Sequence, residues 1–228
     1  MTGPVLASMF LPLSHFLIAS TRLRTILVSR LGEKPYSLAY SLLTLVAFIW
    51  LIIAYRHAPA LPLWHVPRWV QLALAPLIFV SSVLVVAGLT TPNPVIVRSE
   101  QLFDRPEIVR GVLRITRNPF FWGVGLFAIT HLIMIGDLRA SLSFGSVAFL
   151  GLAGAPILDA KKARRHGSSW QIFAAATSNV PFLAIAQGRQ RLAWDEFGLG
   201  RFAFAIVLFM AALLFHRPLF GDNPLGGF

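Results

Sequence analysis

Two histidines stand inside apolar runs of membrane length: His15 in "PVLASMFLPLSHFLIAS" and His131 in "PFFWGVGLFAITHLIMI". A titratable side chain at bilayer depth is costly, so it turns toward a partner, a cavity or a cofactor. Neutral imidazole is also a ligand for iron, copper and zinc. The chain has no cysteine, so a buried haem or metal would rest on His, or on the weaker donors Met and Tyr. A lone intramembrane imidazole is as readily explained by a hydrogen bond between helices. Two of them in separate spans shift the balance toward a shared site, with both rings within about 2 Å of one metal. His15 and His131 are therefore the candidate metal ligands. Ser14 and Thr130 are too close in sequence to be the main partners of these rings, so their support has to come from elsewhere.

The elements that must position the pair are membrane helices. Of 228 residues, 56% are hydrophobic and only 13% charged, and the mean hydropathy is +0.71; soluble domains run near a quarter charged. Apolar runs without strand alternation predict helices rather than a barrel. Six spans are expected, at residues 4–20 (extending toward Arg24), 36–55, 70–90, 119–135, 141–160 and 202–215. A weaker apolar stretch at 180–186 is too short to cross and reads as interfacial. The first basic residue, Arg22, follows the first run, so that run reads as a retained helix rather than a cleaved signal.

Loop charge gives the orientation. The loops at 21–35, 91–118 and 161–200 carry 15 of the 20 Lys and Arg residues, which places them on the cytoplasmic side and both termini outside. The net charge of +11 is accounted for by these loops facing an anionic lipid surface, and no nucleic-acid partner is implied. The fold class is all-α: a single polytopic transmembrane helical bundle over residues 1–228.

Polar residues at the span ends form the second candidate group. Arg117 opens the fourth span and Asp159 closes the fifth, and the outer connection between those spans is short. Antiparallel neighbours joined that way bring their inner ends together. Arg117, Asn118, Asp159 and the 177–182 segment should meet at the cytoplasmic face. Asp137 and Arg139 are expected as a solvated pair in the outer loop, and His57, His65 and His216 as outer-surface residues. No phosphate loop, HExxH or CxxC motif is present, so soluble hydrolase and nucleotide-binding classes have no support.

Several strings, in order along the chain, resemble the NnrU family of membrane proteins: "RLGEKPYSLAYSLLTL", "RITRNPFFWGVGLFAITHLIMIGD", "SFGSVAFLGLAGAPILDAKK", "ATSNVPFLAIAQGR" and "HRPLFGDNPL". The family takes its name from a gene of nitric oxide and nitrite metabolism, and it also holds the haem b zeta-carotene isomerases. The resemblance implies haem b ligated by the positions that match His15 and His131. It implies cis–trans isomerisation of a polyene, or a role in nitric oxide and denitrification metabolism, in a bacterial inner membrane. The chain departs from the family at Arg117-Asn118-Pro119, where the family often reads "RHP".

A fainter resemblance is to membrane methyltransferases. "RNPFFWG", Asp159 and "HGSSWQIF…SNVP" follow the spacing of a motif that binds S-adenosylmethionine. That resemblance makes Arg117, Asn118, Asp159 and Asn179 candidate cofactor-binding residues. Three readings stay open: a haem protein acting on an apolar small molecule or nitric oxide, a methyltransferase-like protein, and a non-enzymatic membrane factor of denitrification.

Overall fold

The computed structural model describes residues 1–19, 22–96, 100–105 and 107–220. The continuation of the first span across 20–21, residues 97–99 and 106 of the third loop, and the tail after 220 lie outside the described residues. Every regular element described is helical, apart from one isolated bridge: α1 (Thr2–Ala19), α2 (Arg22–Leu31), α3 (Glu33–His57), α4 (Arg68–Thr90), α5 (Val112–Ile115), α6 (Pro119–Ile135), α7 (Leu138–Ala176), α8 (Leu183–Ala186) and α9 (Leu199–Phe220).

Four of these, α3, α4, α7 and α9, are each long and apolar enough to cross a bilayer. The α1–α2 pair would be a fifth span, bent by 70°. Helix α6 keeps the bounds expected from sequence, but its 17 residues reach only about 25 Å, the short limit for a crossing. Helix α7 runs past the expected end at 160 because "KKARRHGSSWQIF" holds no helix breaker until Gly167, where the backbone leaves helical geometry at φ 50. The interfacial stretch expected at 180–186 is the single turn α8. Large apolar side chains such as Leu38, Val46 and Leu214 stay exposed on the long helices, as lipid-facing positions require.

The described residues divide into two compact units, Met1–Gln71 with Ala128–Leu150, and Leu72–Phe127 with Gly151–Phe228. In the first, Ala7 and Leu11 of α1 pack on Ala47, Leu51 and Ala54 of α3, joined by Val147 and Leu150 of α7. The spacings i, i+4 and i, i+4, i+7 put each set on one helix face, and the alanines let the backbones approach closely. The α6–α7 turn is pinned to the α3–α4 loop. Leu63 and Trp64 N–H donate to the Gly136 carbonyl, and Leu138 N–H donates to Leu61. Gly136 has φ 71, and a Cβ there would collide with the Trp64 backbone.

In the second unit α6 meets its neighbours through glycines. A Cβ on Gly123 would lie 2.8 Å from Val85 N of α4, and one on Gly151 of α7 would lie 3.0 Å from Gly125 N of α6. Phe79 of α4 packs edge-on against Phe202 and Phe209 of α9. Aromatic residues fill the space beneath the third loop, where Val95, Trp170 and Phe173 are buried against Phe103 and Ile108.

One sequence expectation is corrected. Asp137 and Arg139 are not a solvated pair. Asp137 is buried, and its carboxylate caps α7 by accepting from Ala140 N–H at 2.7 Å and from Arg139 Nε at 2.9 Å. An unpaired N–H at a helix start needs such an acceptor, and the Arg139 guanidinium lies 4.9 Å from the Tyr55 ring centroid.

Candidate functional site

The candidate residues divide between the two units: Arg117, Asn118, Asp159 and Asn179 in the second, His15 and His131 in the first, where, among the described residues, no hydrogen bond or ring contact joins the two histidines to each other. In the second unit, Arg117, Asn118, Asp159 and Asn179 come together. Pro119 starts α6, so the two residues before it project from the helix end, where proline at the first position costs no hydrogen bond. Arg117 Nε donates to Asp159 Oδ2 at 2.8 Å and Arg117 Nη2 lies 2.7 Å from the same oxygen. Asn118 Nδ2 donates to Asp159 Oδ1 at 2.9 Å and to Asn179 Oδ1 at 3.1 Å. Trp122 Nε1 donates to Asn179 Oδ1 at 3.3 Å, and Thr116 Oγ1 to the Asn179 carbonyl at 2.6 Å. The guanidinium also sits over Trp170, 5.4 Å from the ring centroid.

Both oxygens of Asp159 are thus engaged by donors of the chain, one charged and one amide. To grip a cofactor, the carboxylate would have to exchange these bonds. In this arrangement the four residues tie the α6 start, the middle of α7 and the 177–182 segment together. Asn118 Oδ1 remains buried without a hydrogen bond among the described residues.

Sequence reading missed two further polar groups of this unit. Lys162 is buried, and its ammonium donates to the Pro94 carbonyl at 3.2 Å. Glu196 accepts from Arg114 Nε at 2.7 Å and Nη2 at 2.6 Å, and from Gly111 N–H at 2.7 Å. The paired guanidinium holds the Glu196 carboxyl well below its ordinary range, down to about 2, with the Gly111 N–H adding to the effect. The same bond pushes Arg114 upward. Arg114 and Glu196 line a cavity of about 570 Å³ with Arg110 and Gln190. Arg114 and Glu196 are 82 residues apart, and no spacing rule signals such a pair.

In the first unit, His15 and His131 have different neighbours. His15 is half-buried on α1, with Nδ1 2.9 Å from the Leu11 carbonyl one turn earlier. The support expected from a distant residue comes instead from its own helix. A carbonyl can only accept, so the proton sits on Nδ1 and the Nε2 lone pair is left to bind a metal, the tautomer that ligating histidines use. The His15 ring meets Tyr40 of α3 edge-on at 5.7 Å, and Tyr40 stacks on Tyr36. The Tyr40 hydroxyl is buried without a hydrogen bond among the described residues. His131 on α6 stacks against Phe144 of α7 at 5.0 Å. Among the described residues no three His, Asp or Glu side chains gather as a metal-holding group. His15, with its oriented Nδ1 and the unsatisfied Tyr40 hydroxyl beside it, fits a bound haem in donor chemistry.

The profile of the family described as "NnrU protein" matches residues 5–224. The chain is 38% identical over 98 residues to the chloroplastic 15-cis-zeta-carotene isomerase of Arabidopsis thaliana, covering 41% of this chain and 26% of that protein. It is 32% identical over 95 residues to the enzyme of the same description from Zea mays, covering 40% of this chain and 26% of that one. The matched part spans about a quarter of the length of these curated relatives. No solved structure matches the chain.

Proposed function

The chain belongs to the NnrU family, and on that premise we propose that it isomerises a cis double bond of an apolar polyene within a bacterial cytoplasmic membrane, using a haem b held by His15 and His131. The observation that carries this reading is His15: a membrane-helix imidazole whose Nδ1 is tied to the Leu11 carbonyl at 2.9 Å, presenting Nε2 as a ligand. The likeness to two 15-cis-zeta-carotene isomerases supports the substrate class.

A haem held by these histidines would supply an iron able to bind and release an unsaturated ligand. The residues of the chain do the rest. The Leu11 carbonyl fixes the tautomer and plane of His15 and raises its basicity. Tyr40 buttresses the imidazole edge and holds a hydroxyl ready to donate. Phe144, stacked on His131, sets the plane of that ring. The apolar spans exclude water from the imidazoles.

The test is the full-length protein purified in detergent. A haem absorption band, together with conversion of 15-cis-zeta-carotene to another isomer on chromatography, supports the reading. A colourless protein that leaves the isomer ratio unchanged overturns it.

A further inference from the structure

Within the first unit, a cavity of about 370 Å³ lies between α1 and α7, lined by Ser8, Pro12, Leu13 and Phe16 on one side and Ser146 and Phe149 on the other. Its walls are apolar except at the two serines. Ser8 is 6% exposed and its hydroxyl makes no hydrogen bond among the described residues. A helical serine ordinarily bonds back to a carbonyl of the preceding turn, as Ser14 does to Leu11 at 2.8 Å. Pro12, four residues on, has no N–H to offer the Ser8 carbonyl. One residue at the cavity wall therefore carries both a donor without an acceptor and a carbonyl denied its helical donor. Ser146 donates to the Ser143 carbonyl at 2.9 Å, which leaves its lone pairs available. Leu13 and Phe149 are exposed at the edge of the cavity, in membrane-helix segments, so the way in is from the lipid rather than from water.

We propose that this cavity binds an apolar molecule bearing a single hydroxyl group, taken from the bilayer. A hydroxyl can accept from Ser8 Oγ–H and at the same time donate to the Ser8 carbonyl, and it carries no charge into the apolar cavity. The apolar body lies against Leu13, Phe16 and Phe149. A pure hydrocarbon fills the same volume but leaves the Ser8 groups buried and unsatisfied, and a site with buried polar groups rejects an analogue that cannot pair them. Each net hydrogen bond is worth about 1 kcal/mol, so the two together set the expected preference for an alcohol over the matching alkane at roughly thirtyfold. The site is separate from the haem reading and stands or falls without it.

The experiment uses the full-length protein in detergent with 1-dodecanol and n-dodecane as probes, at equal ratios to detergent, and measures bound probe by native mass spectrometry. One dodecanol retained per chain, with dodecane retained about thirtyfold less, is the expected result. Ser8→Ala removes the hydroxyl but keeps the carbonyl of residue 8, so it should cut the preference for the alcohol to about fivefold, the worth of the one bond left. Ser8→Thr, which keeps the hydroxyl, should restore it. Removing an unpaired hydroxyl leaves the fold intact, so Ser8→Ala remains interpretable, and its unfolding temperature in the absence of probe checks this. Equal retention of both probes overturns the proposal. So does retention of neither, the behaviour of a cavity holding only water, or a Ser8→Ala variant that binds the alcohol as well as the parent.

Discussion

Arg117 grips Asp159 through two nitrogens on one carboxylate oxygen, at 2.7 and 2.8 Å, across 42 residues of sequence. Asn118 takes the other oxygen at 2.9 Å. The side chains are only 14% and 12% exposed. The pair fixes the start of α6 against the middle of α7, and through Asn118 and Asn179 it orders the segment that follows α7.

Removing one partner should be worse than removing both. Asp159→Ala leaves the Arg117 charge buried against Trp170, a change expected to cost about 3 kcal/mol. Arg117→Ala strands the carboxylate at a similar cost. The double variant should lose less than the two single variants together, because no charge is left unpaired. Unfolding of the four proteins in detergent measures this coupling, and additive losses would show the clasp to be idle.

Much of this was legible from residue types. An arginine opening one span, a carboxylate closing the next and a short connection between them already require their inner ends to meet, and the structure puts Arg117 on Asp159. The bounds of α6 follow from Pro119 at its start and Gly136 after its end. What the sequence could not give was register between distant segments. Glu196 finds Arg114 only because the turn before α9 folds back on α5. Asp137 reads as an exposed loop acid, yet its position one residue before α7 makes it that helix's cap. His15 stands out by its cost in a membrane, but its ring partner Tyr40 lies in another helix, where no spacing from His15 points to it.

The Arg114–Glu196 pair should give the protein an acid-sensitive joint. The Glu196 carboxyl is held at about 2 against an ordinary 4.5. A carboxyl whose pKa is lowered on folding contributes stability above the unfolded value and loses it as pH falls toward the folded one. The contribution is present above about pH 4.5 and fades between there and pH 2. The fall in unfolding temperature across that window should be smaller in Glu196→Gln than in the parent protein. Identical pH profiles would count against the joint.

Glycines at helix contacts should tolerate nothing larger, while a glycine in open space should. A Cβ on Gly88 would fall 2.5 Å from Phe120 N, against backbone that cannot turn aside. Gly88→Ala is expected to destabilise by about 1–3 kcal/mol, the range for overpacking. Gly200, within α9, has nothing within 4 Å of the same position, so Gly200→Ala should be neutral or stabilising by up to about 1 kcal/mol. Thermal unfolding of the two variants in one detergent compares them directly.

The Tyr40 hydroxyl separates a haem site from mere helix packing. It is buried beside His15 with no hydrogen bond among the described residues, and an unsatisfied buried donor costs about 1–3 kcal/mol. Tyr40→Phe keeps the ring contacts to His15 and Tyr36 and removes only that penalty. In protein prepared without haem, the variant should unfold at the same temperature as the parent or higher. If the hydroxyl donates to a polar atom of a bound haem, the sign reverses in the loaded protein. Haem retention should then fall by about fivefold to tenfold, the worth of one hydrogen bond, and His15→Ala should lose it further and change the spin state seen in the absorption spectrum, because an axial ligand is gone. A packing role for Tyr40 and His15 predicts the opposite pattern: His15→Ala destabilises the haem-free protein by leaving a gap against Tyr40, and neither substitution moves a spectrum. Measuring both variants with and without added haem decides between the two.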